Sequence, residues 1–224
     1  MLRAIRAAFV ITVALIPSIR AQSVSVKRGN IFFERKDGRS IQLTSSGLDS
    51  YPHLSADGQL VVFVRRTPSF KIDTGMGDVD DNELWIADPA GGQPPRRVLV
   101  GHPGTFRDDE NLVLAGFVEP QFSPDKSRIY FVGAAWATSS PMWMLDLNSG
   151  HARYLCAGLG LEVLQSGKYA GFLIALKEIP LMLSARTFRY WVLDPDGQDV
   201  SEIGEAEDSV RYFKREMNDP NQSR

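Results

Sequence analysis

Carboxylates crowd two short stretches of this 224-residue chain: Asp73, Asp78, Asp80, Asp81 and Glu83 in the first, Asp108, Asp109 and Glu110 in the second. The run Asp78-Val79-Asp80-Asp81-Asn82-Glu83 offers hard oxygen donors at close spacing, the chemistry that Ca²⁺ accepts when six to eight oxygens converge. It lacks the Asp-x-Asp-x-Asp-Gly order of a helix-loop-helix calcium loop. The expectation is therefore no cofactor, with Ca²⁺ as the one candidate. A pair such as Asp80 and Asp109 around a cation would suit a small hydrolase or lyase. An acidic surface would equally suit a basic protein partner, including an enzyme whose cationic cleft it plugs. Leu181 and Met182, in the segment Lys177 to Thr187, would add exposed apolar contacts to such a surface. His53, His102 and His151 are evenly spaced, but they fall at different places in the repeat described below, which disfavours a shared metal. No Gly-x-Ser-x-Gly elbow, His-Glu-x-x-His pair or phosphate-cradling glycine loop occurs.

The elements that must hold these residues announce themselves by repetition. Leu84-Trp85-Ile86-Ala87-Asp88, Met142-Trp143-Met144-Leu145-Asp146 and Tyr190-Trp191-Val192-Leu193-Asp194 each run into a glycine-bearing turn. Such recurrence marks a supersecondary unit of about 40 residues with loop insertions. Short β-branched and aromatic runs bounded by Asp, Gly, Pro and Ser read as strands, four to a unit. Asp57, Asp88, Asp125, Asp146 and Asp194 open the turns, where Asp accepts hydrogen bonds from backbone N–H groups two residues on. The tryptophans are expected to pack between adjacent units. Two units read clearly, a third is degenerate at its start, and Asn30 to Leu43 supplies a strand pair before them.

Pro120-Gln121-Phe122-Ser123-Pro124-Asp125, its variant Pro52-His53-Leu54-Ser55-Ala56-Asp57-Gly58, and Leu84 to Gly92 resemble the repeats of TolB-like, WD40-related β-propellers over roughly residues 30 to 200. The resemblance implies an all-β, propeller-like fold of about three four-stranded blades plus a half blade. It also implies an exported binding scaffold, or the non-catalytic propeller of a peptidase. Propellers usually close with four to eight blades. Here closure would need Ser209 to Glu216 to pair with Asn30 to Leu43; a homodimer or an open arc are the other ways to treat the free edges. In an antiparallel blade the short turns lie on one side and the longer connections on the other. The connections 66–82, 101–117 and 177–187 thus form one decorated face carrying the acidic and apolar candidates.

Residues 1–21 read as a signal peptide: Arg3 and Arg6, an apolar run from Ala7 to Ile16, Pro17, and a small-residue cleavage site at Ala21. Residues 22–224 then form the propeller-like domain, periplasmic or secreted. The apolar run is too short to span a bilayer, and no transmembrane segment is expected after cleavage. The chain has 25 Lys and Arg against 27 Asp and Glu; cleavage removes Arg3, Arg6 and Arg20 but no acid. A mildly acidic chain with scattered cations is unsuited to nucleic acid. Cys156 is the single cysteine, so no internal disulfide can form, and its apolar setting points to a buried inert thiol.

Overall fold

The computed structural model describes residues 21–73, 78–101, 114–134, 139–181 and 186–217. Three antiparallel sheets follow one another along the chain. The first contains β1 (Ser23–Lys27), β2 (Asn30–Glu34) and β3 (Ser40–Gln42). The second contains β4 (Asp49–Leu54), β5 (Val61–Asp73), β6 (Asp78–Ala87) and β7 (Arg96–Val100). The third runs in sequence order through β8 (Val118–Phe122), β9 (Arg128–Val132), β10 (Ser140–Asp146), β11 (Ala152–Val163), β12 (Leu173–Pro180), β13 (Arg186–Leu193) and β14 (Asp199–Gly204). One helix, α1 (Glu207–Met217), ends the described chain.

The expected units are present, with one fusion. The last strand of the second complete unit and the first strand of the third are a single element, β11, which pairs with β10 on one side and β12 on the other. The register slips between Gly158 and Gly160, so the strand serves two blades across a bend. A Cβ on Gly158 would lie 2.2 Å from the Leu176 carbonyl oxygen and 2.6 Å from the Met142 methyl, which is why this position carries none. The leading part-unit has three strands rather than two, because β1 adds to the expected pair.

Burial follows the blade pattern. Ile31 meets Val61, Phe63 and Ala87 between the first two sheets. Val62, Val64, Leu84 and Ile86 meet Phe117, Phe122, Ile129, Phe131 and Trp143 at the next junction. Tyr130, Met142, Met144 and Cys156 meet Leu161, Val163, Leu173, Ala175 and Leu193 where the long sheet turns on itself. Trp85 packs on the first of these clusters, Trp143 lies within the second and Trp191 packs on the third, so each of the three repeated tryptophans sits at an inter-blade junction.

The repeated aspartates are turn residues. Asp57 accepts from the Gln59 N–H (3.1 Å), Asp88 from Ala90 (2.7 Å), Asp125 from Ser127 (3.1 Å), Asp146 from Ser149 (2.8 Å) and Asp194 from Gln198 (2.8 Å). Lys126 occupies the place of Gly58 in the second copy of this turn, also at positive φ (62° against 73°). Its ammonium reaches back to Asp57 and Gln59 of the preceding unit, tying adjacent turns together. Tyr51 and Glu119, each before a proline, share a left-handed backbone (φ 48° and 52°) at equivalent irregularities of β4 and β8.

The ring-closing expectation is overturned. Ser209 to Glu216 lies within α1, so it cannot supply a strand to the first sheet. The helix instead covers the last blade: Val210 is buried, the Phe213 ring lies 6.4 Å from Tyr169, and Lys214 pairs with Glu162. At the other end, the cross-strand register sets Ser23, Lys27, Phe32, Glu34 and Gln42 on the outward face of the first sheet, opposite Ile31 and Phe33. The arc therefore has a polar face at its start and a helix at its end. No helix among the described residues is long and apolar enough to cross a membrane.

Candidate functional site

Two of the connections expected as loops are largely strand. Positions 66–73 and 78–82 extend β5 and β6 into a long hairpin, with Lys71 opposite Asp80 and Asp73 opposite Asp78. Likewise 177–180 and 186–187 belong to β12 and β13. Acidic and polar residues concealed both extensions, since strand pairing supplies the backbone hydrogen bonds whatever the side chains.

Strand alternation divides the acidic run. Asp81, only 5% exposed, turns inward, where a carboxylate oxygen accepts from the Gly116 N–H at 3.3 Å. Burial pushes its carboxyl above the usual range, and the neighbouring Glu83 charge adds to this against the bonds from the Asn82 and Gly116 backbone. Gly101 leaves room for that carboxylate: a Cβ there would sit 3.1 Å from one Asp81 oxygen and 2.8 Å from the Leu114 carbonyl. Glu83 is also buried, accepting from Trp85 Nε1 (2.9 Å) and an Arg97 guanidinium nitrogen (2.8 Å). Both acids are thus engaged within the fold.

Between them, Asn82 makes a reciprocal pair with the Phe117 backbone: its Nδ2 donates to the carbonyl (2.8 Å) and its Oδ1 accepts from the N–H (2.6 Å). Sequence reading missed this residue, because its partner lies 35 positions away. The result is a clamp. Asp81 and Asn82 fix the root of the hairpin to 116–117, where Phe117 is itself fully buried in the core. The terminal part of the connection 101–117 is therefore core-forming rather than loop.

Beyond the clamp, Asp73, Asp78 and Asp80 occupy the outer end of the hairpin. Asp108, Asp109, Glu110 and Met182 lie outside the described residues, so the pairing of Asp80 with Asp109 and the apolar pair at 181–182 are each described only in part. Leu181 is half exposed. His53 is half-buried in β4, with desolvation lowering its pKa, whereas His151 is exposed and His102 lies outside the described residues. Among the described residues, no three His, Cys, Asp or Glu side chains are placed to share a metal ion. Cys156 is buried beside the Met142 sulfur (3.8 Å), and burial pushes its thiol up to about 11, leaving it unreactive at neutral pH.

No protein-family model matches the sequence, and no curated protein sequence matches it. Solved structures do resemble the fold. TolB from Acinetobacter baumannii superposes with a TM-score of 0.51 at 16% identity, over 83% of this chain and 40% of that one. Porphyromonas gingivalis dipeptidyl peptidase 4 superposes with a TM-score of 0.52 at 14% identity, over 83% of this chain and 31% of that one. The chain spans less than half the length of either protein. At such identities the likeness is one of fold, and the fold is that of a partial, TolB-like β-propeller.

Proposed function

We propose that this chain is an exported, non-catalytic binding module that captures a protein partner with a basic surface through the acidic hairpin of β5 and β6. The observation that carries the reading is the division of labour along that hairpin. Asp81, Asn82 and Glu83 spend their hydrogen bonds on the fold, so the root is rigid, while Asp73, Asp78 and Asp80 lie beyond it. Binding groups mounted on a rigid scaffold lose little entropy on association. Export is supported by the basic start and apolar run within residues 1–21.

A partner recognised by carboxylates should associate in a salt-sensitive way, because opposite charges both steer encounter and weaken under screening. The test is immobilisation of residues 22–224 and capture from the periplasmic extract of the source cells at low and at high ionic strength. One basic protein retained at low salt and released at high salt supports the reading. Retention indifferent to salt, or retention of acidic proteins, would count against it.

A further inference from the structure

On the side opposite the long hairpin, where the short turns gather, a cleft of about 760 Å³ runs past the end of the second sheet, lined by the first sheet on one side and reaching Lys126 of the third on the other. That volume falls within the range of small-molecule sites. Its walls come from the end of β2, the turns after β4 and β6, the start of β7, and Lys126 from the turn after β8. Leu60 gives it an accessible apolar component, with Phe33 and Ile86, each 3% exposed, at its floor.

Its charge is opposite in sign to that of the chain. Arg35, Arg96 and Lys126 line it against Asp88 alone, in a protein of net charge −2. Lys126 is committed to Asp57 and Gln59, and Asp88 to the N–H groups of its own turn. Arg35 and Arg96 form no ion pair among the described residues; Arg35 acts on Asp37 through its charge alone, and weakly. Two uncommitted guanidinium groups beside an apolar wall form a receptor for an anion with a hydrophobic body. The planar fork takes carboxylate or phosphate oxygens in pairs, and the apolar wall excludes water from the remainder.

We propose that this cleft binds a small amphipathic anion, its head group held by Arg35 and Arg96 and its apolar body against Phe33, Leu60 and Ile86. The site is independent of the hairpin. The probes are octanoate, octyl phosphate and the neutral octanamide, titrated calorimetrically into the purified chain and into its R35Q/R96Q variant. Both arginines are exposed and form no ion pair among the described residues, so the variant should fold with an unchanged melting temperature. Saturable binding of octanoate or octyl phosphate with a Kd below about 1 mM, weakened about tenfold or more by the double substitution, supports the site. The tighter of the two identifies the head group. The proposal is overturned if neither anion binds, if octanamide binds as tightly as the anions do, or if the double variant matches the wild type. The octanamide comparison uses the wild-type chain alone and so holds however the variant behaves.

Discussion

At Asp81 and Asp57 the fold treats the same side chain in opposite ways. Burial raises the Asp81 carboxyl above its ordinary 3.8, so the folded state holds that proton more tightly than the unfolded chain. Its contribution to stability is fully present below the unfolded value and is lost as pH rises through the folded one, leaving the ionised group a cost at neutrality. Asp81→Asn keeps an acceptor for the Gly116 N–H and removes that cost. Thermal denaturation should place the melting temperature of D81N at or above wild type near about pH 7, with the advantage disappearing towards about pH 4. At Asp57 partial burial opposes ionisation, but the bonds from Lys126, Ser55 and the Gln59 N–H prevail and hold the carboxyl at about 2. Its contribution is present above the unfolded value of 3.8 and fades as pH falls towards about 2.

Among the elements, β11 is the one on which the architecture turns. Gly158→Ala would press a methyl group onto the Leu176 carbonyl, where backbone must move to admit it. Overpacking of this kind costs about 1–3 kcal/mol, readable as a lowered denaturation midpoint in urea. The turns were legible in the sequence because Asp and Gly have a local reason to be there. The strand cores were legible because Trp85, Trp143 and Trp191 recur with apolar neighbours. The continuity of β11 was not, because Gly158 and Gly160 read as punctuation whereas they serve a close approach between strands. The extensions of β5 and β6 were hidden by their acids; α1 carried helix signals, Glu207 and Asp208 in its first turn and Lys214 and Arg215 in its last, which the strand pattern of the preceding repeat outweighed. The clamp at Asn82 had no local signal, since it joins residues far apart in sequence.

Taken whole, the molecule is an arc whose two ends are finished differently. Ser23, Lys27 and Gln42 on the outer face of the first sheet are exposed, whereas α1, through Val210 and Lys214, lines a cleft with Ile174, Leu176 and Tyr190 of the last blade. Ending the chain after Gly204 should therefore expose an apolar sheet face. Size-exclusion chromatography is expected to show association or aggregation of the truncated chain where the intact one remains monodisperse. The two sides of the arc also differ in charge, with the acidic hairpin on one and the arginine-lined cleft on the other. This polarity gives the binding proposal a surface that can be altered without touching the core. The deciding comparison is between the wild type and D73N/D78N/D80N, which leaves Asp81, Asn82 and Glu83 in place and removes both the like charges opposed at 73 and 78 and the opposite charges opposed at 71 and 80, effects of opposite sign on stability. Partner affinity and melting temperature would be measured on the same preparations. The melting temperature is expected to change little, and affinity for the captured basic partner to fall about tenfold or more. Undiminished affinity in the fully folded variant would contradict it.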